Sequence, residues 1–166
     1  MRPKHVLINM ETLEKYGIIE AGKDYAWFDC ESFEESESYI DLVETLSIIS
    51  NNKFSPQNLN IKKEGWTENR EHYIVEINFK LGNENCQIKL LCEEWFDFDL
   101  ITELNKILRK QGIEEQFYPV KTGDQSLIIV FGNAFLKEEL SSENILESAE
   151  QLIIDKPINF NSLKII

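Results

Sequence analysis

No Lys or Arg occurs between Asp24 and Glu44, although that stretch holds Asp24, Asp29, Glu31, Glu34, Glu35, Glu37, Asp41 and Glu44. Over all 166 residues, 17 bases stand against 30 acids, a formal net charge of −13. A solvated surface of one sign attracts cationic partners and repels polyanions, with a strength that falls as salt rises. Nucleic acid and anionic membrane are the direct partners this composition disfavours. Long apolar runs are missing as well. The start, Met1-Arg2-Pro3-Lys4-His5-Val6, lacks the apolar segment of a secretory signal, and no stretch approaches the ~18 uninterrupted apolar residues of a membrane helix. Cytoplasm is the expected compartment.

The groups that usually carry chemistry are sparse. Cys30, Cys86 and Cys92 form neither an even disulfide framework nor a metal-ligand spacing, so they read as buried thiols acting as small hydrophobes. Only His5 and His72 are available as imidazole bases, and no reactive-thiol signature surrounds the cysteines. Seven glycines are scattered singly, without a phosphate-cradling loop. Neither a catalytic centre, nor a metal site, nor a cofactor site is expected.

What the chain does have is enough apolar material for one domain over residues 1–166, including ten Phe, five Tyr and three Trp. Tyr73, Val75, Ile77 and Phe79 alternate with Ile74, Glu76, Asn78 and Lys80. After Gly82-Asn83-Glu84-Asn85 the alternation resumes through Cys86, Ile88, Leu90 and Cys92. Period two marks strands with one buried face. A four-residue turn would pair Leu81 with Cys86, Phe79 with Ile88, Ile77 with Leu90 and Val75 with Cys92. A helix follows, with Asp97 or Asp99 as its N-cap, a stripe of Leu100, Ile101, Leu104, Ile107 and Leu108, and Gly112 as its stop.

A second strand pair is expected at Phe117–Val120 and Leu127–Phe131, joined by Thr122-Gly123-Asp124-Gln125. Pro119 places the first at an edge or gives it a bulge, and the unbroken apolar run places the second centrally. Towards the N-terminus, Val6-Leu7-Ile8 reads as a strand and Glu11 to Tyr16 as a turn or two of helix. Ser32 and Glu35 form a capping-box pattern opening a helix near 32–50. Residues 51–72 read as a long polar loop with at most a short strand at Leu59-Asn60-Ile61, and Ser142 to Ile154 as a C-terminal helix followed by a tail. Together these predict an α+β fold in which an antiparallel sheet, built from two strand pairs, carries helices on one side.

Two acidic regions remain as candidates for a partner surface. Glu34, Glu37, Asp41 and Glu44 recur at spacings of three and four and stack along one helix face. Glu93, Glu94, Trp95 and Asp97 crowd the strand-to-helix junction. Acids near a helix start also compensate orphan amides, so the junction has a structural reading beside the functional one.

Residues 93–131 carry Trp95-Phe96-Asp97-Phe98-Asp99, Leu104-Asn105-Lys106-Ile107-Leu108, Phe117-Tyr118, Gly123-Asp124-Gln125 and Ile128-Ile129-Val130-Phe131. In this segment the chain resembles small immunity proteins of bacterial polymorphic-toxin systems. The resemblance implies a cytoplasmic inhibitor that binds a cognate toxin domain and occludes its active site. The acidic bias suits that role independently, because a basic nuclease-like domain presents a surface that an acidic inhibitor can occupy in place of phosphate. The expected function is thus non-enzymatic binding of a cationic protein partner. The alternative is an adaptor or regulatory domain in a homomeric or multi-protein assembly.

Overall fold

A computed structural model describes residues 4–147, 156–157 and 159–166. In chain order it contains α1 (Lys4–Glu14), β1 (Tyr25–Asp29), α2 (Ser36–Ile49), β2 (Gln57–Trp66), β3 (Tyr73–Leu81), β4 (Glu84–Leu91), α3 (Asp99–Lys110), β5 (Gln116–Val120), β6 (Ser126–Gly132) and α4 (Ala134–Ser142). A 3₁₀ turn at Phe160–Ser162 follows. The strands form two separate antiparallel sheets of three, ordered β1-β6-β5 and β2-β3-β4. The α+β class holds, but the one sheet expected from both strand pairs is two, because each pair has gained a third strand of its own instead of joining the other. Among the described residues, no helix is long and apolar enough to cross a membrane.

Each expected strand pair supplies the central strand and one edge strand of its sheet. In the first sheet β6 is central, with Leu127, Ile128, Ile129 and Val130 all buried, while Pro119 lies on the edge strand β5, where its missing N–H costs least. In the second, Phe79 pairs with Cys86, Ile77 with Ile88 and Val75 with Leu90, two residues away from the expected register. The turn closes on Leu81 and Glu84, leaving only Gly82 and Asn83 between the strands. Gly82 takes φ +61°, which a two-residue hairpin accepts without the steric cost of a side chain. A slip of two keeps every side chain on its face, so hydrophobic matching alone cannot distinguish the two registers.

One apolar cluster draws on both sheets and on α2 and α3. Phe54 stands edge-on to Phe79 and Phe117, at 5.7 Å from each, and so bridges the second sheet to the first. Leu100, Leu104 and Leu108 of α3 are fully buried in it, each stabilising by roughly 1.5–3 kcal/mol relative to exposure. A second cluster fills the opposite face of the first sheet with Leu13 of α1 and Leu140 of α4.

Several local expectations are overturned. Residues 6–8 lie inside α1 rather than in a strand, and α1 runs on to Glu14. Helix α2 starts at Ser36, with Glu35 as an N-cap that makes no side-chain capping bond, so the Ser32–Glu35 pattern is not its start. Residues 51–72 are not a loop, because β2 fills ten of them. Its apolar content is low since none of its ten residues is fully buried, its face pattern being broken by bulges near Asn58 and Lys62. Helix α4 ends at Ser142, where the expected C-terminal helix was to begin. Glu143 and Asn144 turn, Leu146 bridges to Val120, and residues 148–154 of that expected helix lie outside the described residues.

The chain's last residues cross the outer face of the second sheet. Phe160 and Ile165 pack on Ile74 and Leu91, Lys89 Nζ donates to the carbonyls of Asn161 and Leu163, and Ile165 bridges to Thr67.

Candidate functional site

Two main-chain bonds decide where the acidic blocks meet. Phe96 N–H donates to the Cys30 carbonyl at 2.7 Å, and Phe33 N–H donates to the Glu94 carbonyl at 3.4 Å. They bolt the junction after β4 onto the turn that precedes α2. The Cys92 thiol adds contacts to the carbonyls of Phe33 and Glu34, both at 3.5 Å. Beneath this seam Phe28, Phe33, Tyr39, Phe96 and Phe98 pack ring against ring, which gives the seam a rigid floor.

The seam walls a groove of about 700 Å³ lined by Glu34, Glu35, Ser36, Glu37, Glu64, Trp66, Tyr73, Cys92, Glu93 and Glu94. Six of these ten residues are carboxylates and none is Lys or Arg. Glu64 is held in place from both sides. Tyr73 donates its hydroxyl to Oε1 at 2.8 Å, and Ser36 donates its own to Oε2 at 2.9 Å. The bond to Glu64, ahead of burial, holds the Tyr73 phenol above its ordinary pKa. Trp66 stands edge-on to Tyr73 at 5.4 Å and is half exposed, so one large aromatic surface faces water among the acids. His72 Nδ1 lies 3.1 Å from Glu93 Oε1 at the rim.

Burial, reinforced by Glu64, Glu93 and Glu35, pushes the Cys92 thiol up to about 12. A nucleophilic thiol needs the opposite shift. The chemistry within reach of the groove is recognition of a cation. Carboxylates accept from an ammonium or guanidinium, and the indole face adds a cation–π contact of about 0.5–2 kcal/mol. Among the described residues, no three His, Cys, Asp or Glu are grouped so as to hold a metal ion.

The predicted partner residues divide. Glu34, Glu37, Glu93 and Glu94 come together in the groove although they belong to separate blocks of sequence. Asp41 lines a smaller neighbouring concavity of about 240 Å³ with Phe28 and Leu42, and Glu44 lies farther along the exposed face of α2. Trp95 is half-buried and packs on the core instead of facing a partner. Asp97 is 2% exposed and engaged internally, so it is withdrawn from the contact surface. Its oxygens accept from the N–H groups of Leu91 and Asp99 and pair with Lys156 Nζ at 2.7 Å.

Glu64 and Trp66 escape the sequence reading because their strand β2 reads as loop, and Tyr73 escapes it because it reads only as a hairpin residue. The alternation Leu59, Ile61 followed by Glu64, Trp66 was the available signal, interrupted by the bulge at Lys62. No family model matches the chain, and neither a curated protein nor a solved structure is significantly similar to it.

Proposed function

We propose that the protein is a non-enzymatic binding protein that captures a cationic protein partner in the acidic groove, and that it works as an immunity protein neutralising a toxin domain. The observation that carries this reading is the convergence of acids 34–37 and 93–94 with Glu64 around an exposed Trp66. Such a surface steers a basic partner at long range and gives its Arg or Lys side chains both a carboxylate and an aromatic face at contact.

The experiment is capture of a partner from native lysate by the tagged protein, at low and moderate salt, beside the triple variant E34K/E64K/E94K. A basic partner that elutes with rising salt is expected. Exposed ion pairs contribute up to about 1 kcal/mol each, and reversal adds repulsion, so the triple variant loses roughly 100-fold or more in affinity. Its melting temperature should stay near that of the parent, and protection against a co-expressed toxin domain should vanish. A partner retained equally by the variant would remove the groove from the mechanism. Recovery of only further copies of the chain would instead favour a role within a homomeric assembly.

A further inference from the structure

We propose that the partner enters this groove as an extended basic segment that adds a strand to the free edge of β2. The inference rests on the reading of the groove as a cation site. Among the described residues, β2 is an edge strand of ten residues, with β3 on one side only. Along its length a second concavity of about 470 Å³ lies between α2 and β2 and shares Glu37 and Glu64 with the acidic groove. Together they make one channel, apolar at Ile40, Leu59 and Ile61, basic at Lys62 and Lys63, and acidic towards Trp66.

The chain's own C-terminal residues already use this edge. Ile165 bridges to Thr67 in antiparallel fashion, and Ile166 N–H donates to the Trp66 carbonyl at 2.9 Å. Gly65 makes room for that contact, since a Cβ there would stand 2.8 Å from Ile165 Cγ2. Thr67 N–H points the other way, to the His72 carbonyl on the β3 side. In a strand the main-chain groups alternate sides. The N–H and C=O of Glu64 therefore face the free edge, as does the N–H of Trp66.

Residues Lys63 to Trp66 run in unbroken register with Glu76 to Tyr73, whereas the bulge at Lys62 disrupts the strand just before them. Bulges and lysines blunt an edge against indiscriminate pairing. The regular stretch lies where the acids are, so pairing is restricted to a segment whose cations match Glu37, Glu64 and Glu94. Main-chain bonds then supply affinity, and alternate side chains in the channel supply specificity.

The test uses a blocked peptide, Ser-Val-Thr-Arg-Thr-Arg-Ser, and two analogues N-methylated on one or the other alternating set of residues. All three carry the same charge. Titration into the full chain is followed by amide NMR and by hydrogen exchange at Glu64 and Trp66. The expected result is that one analogue binds at least tenfold more weakly while the other matches the parent peptide, which slows exchange at both amides. Equal binding by all three, or equal loss by both analogues, overturns strand addition. In the first case the acidic groove still stands as a cation site. Absence of binding by every peptide at millimolar concentration counts against both.

Discussion

Replacing Lys156 with Met tests how the tail is tied to the core. Lys156 Nζ stands 2.7 Å from Asp97 Oδ2 and 2.5 Å from Asp99 Oδ2, and 4.2 Å from the centre of the Phe160 ring. Asp97 is buried, while Asp99 is half exposed and its pairing is largely screened, so the first contact dominates. At an effective dielectric near 20, the attraction across 2.7 Å is about 6 kcal/mol before desolvation is subtracted. Removing one partner of a buried pair costs about 3–5 kcal/mol, and here the abandoned carboxyl escapes part of that cost by taking up a proton. A loss near 3 kcal/mol at neutral pH is expected, or a fall of roughly 6–12 °C in melting temperature.

The pH dependence has a definite sign. Burial already pushes the Asp97 carboxyl above its ordinary value of 3.8, against the opposing pull of Lys156 and two N–H donors. The folded protein thus holds that proton more tightly than the unfolded chain. The associated stability is complete below 3.8 and drains away as pH rises through the folded value. Without Lys156 the carboxyl moves higher still, so the variant's deficit grows with pH and shrinks under acid. Urea denaturation of both proteins at about pH 7.5 and about pH 3.5 measures it. A deficit under ~1 kcal/mol at the higher pH, or an equal deficit at both, would refute the reasoning.

The thiols and the β5 edge supply two further tests. Cys30 and Cys92, both pushed up to about 12, mainly by burial, should resist a thiol reagent at about pH 8 in the folded state and react fully in denaturant. Rapid labelling of either in the native protein would contradict their burial. Asn105 donates to the Phe117 carbonyl at 2.9 Å and accepts from its N–H at 2.8 Å, capping the start of β5 on the side away from β6, beside the stretch that residues 145–147 cover. Asn105→Ala should cost about 1–3 kcal/mol and raise concentration-dependent aggregation, read by denaturation and light scattering; an unchanged protein would show that water replaces the cap freely.

Much of the fold was legible because its signals are local and dense. The alternation of the β3–β4 hairpin, the α3 stripe ending at Gly112, Pro119 on an edge and the apolar run of β6 each report which faces are buried. Strand β1 escaped notice because Tyr25-Ala26-Trp27-Phe28 is short and embedded in acids, and its partner β6 lies about a hundred residues away. The exact hairpin register hung on a glycine turn that tolerates two lengths. The site was half legible. Charge density marked residues 34–37 and 93–94, yet nothing local tied those blocks to Glu64 and Trp66.

By itself the sequence determined composition-level physics: a surface of net charge −13, one class of architecture and a set of acids without neighbouring bases. These depend on counts and on periods of two and 3.6, which survive without knowledge of distant contacts. Only the tertiary structure decided that two acidic blocks share one groove, that Asp97 belongs to the core and that Trp66 faces water. Those outcomes follow from long-range hydrogen bonds such as Phe96 to Cys30 and from the tail crossing the second sheet, and each joins residues whose separation leaves no trace in local pattern.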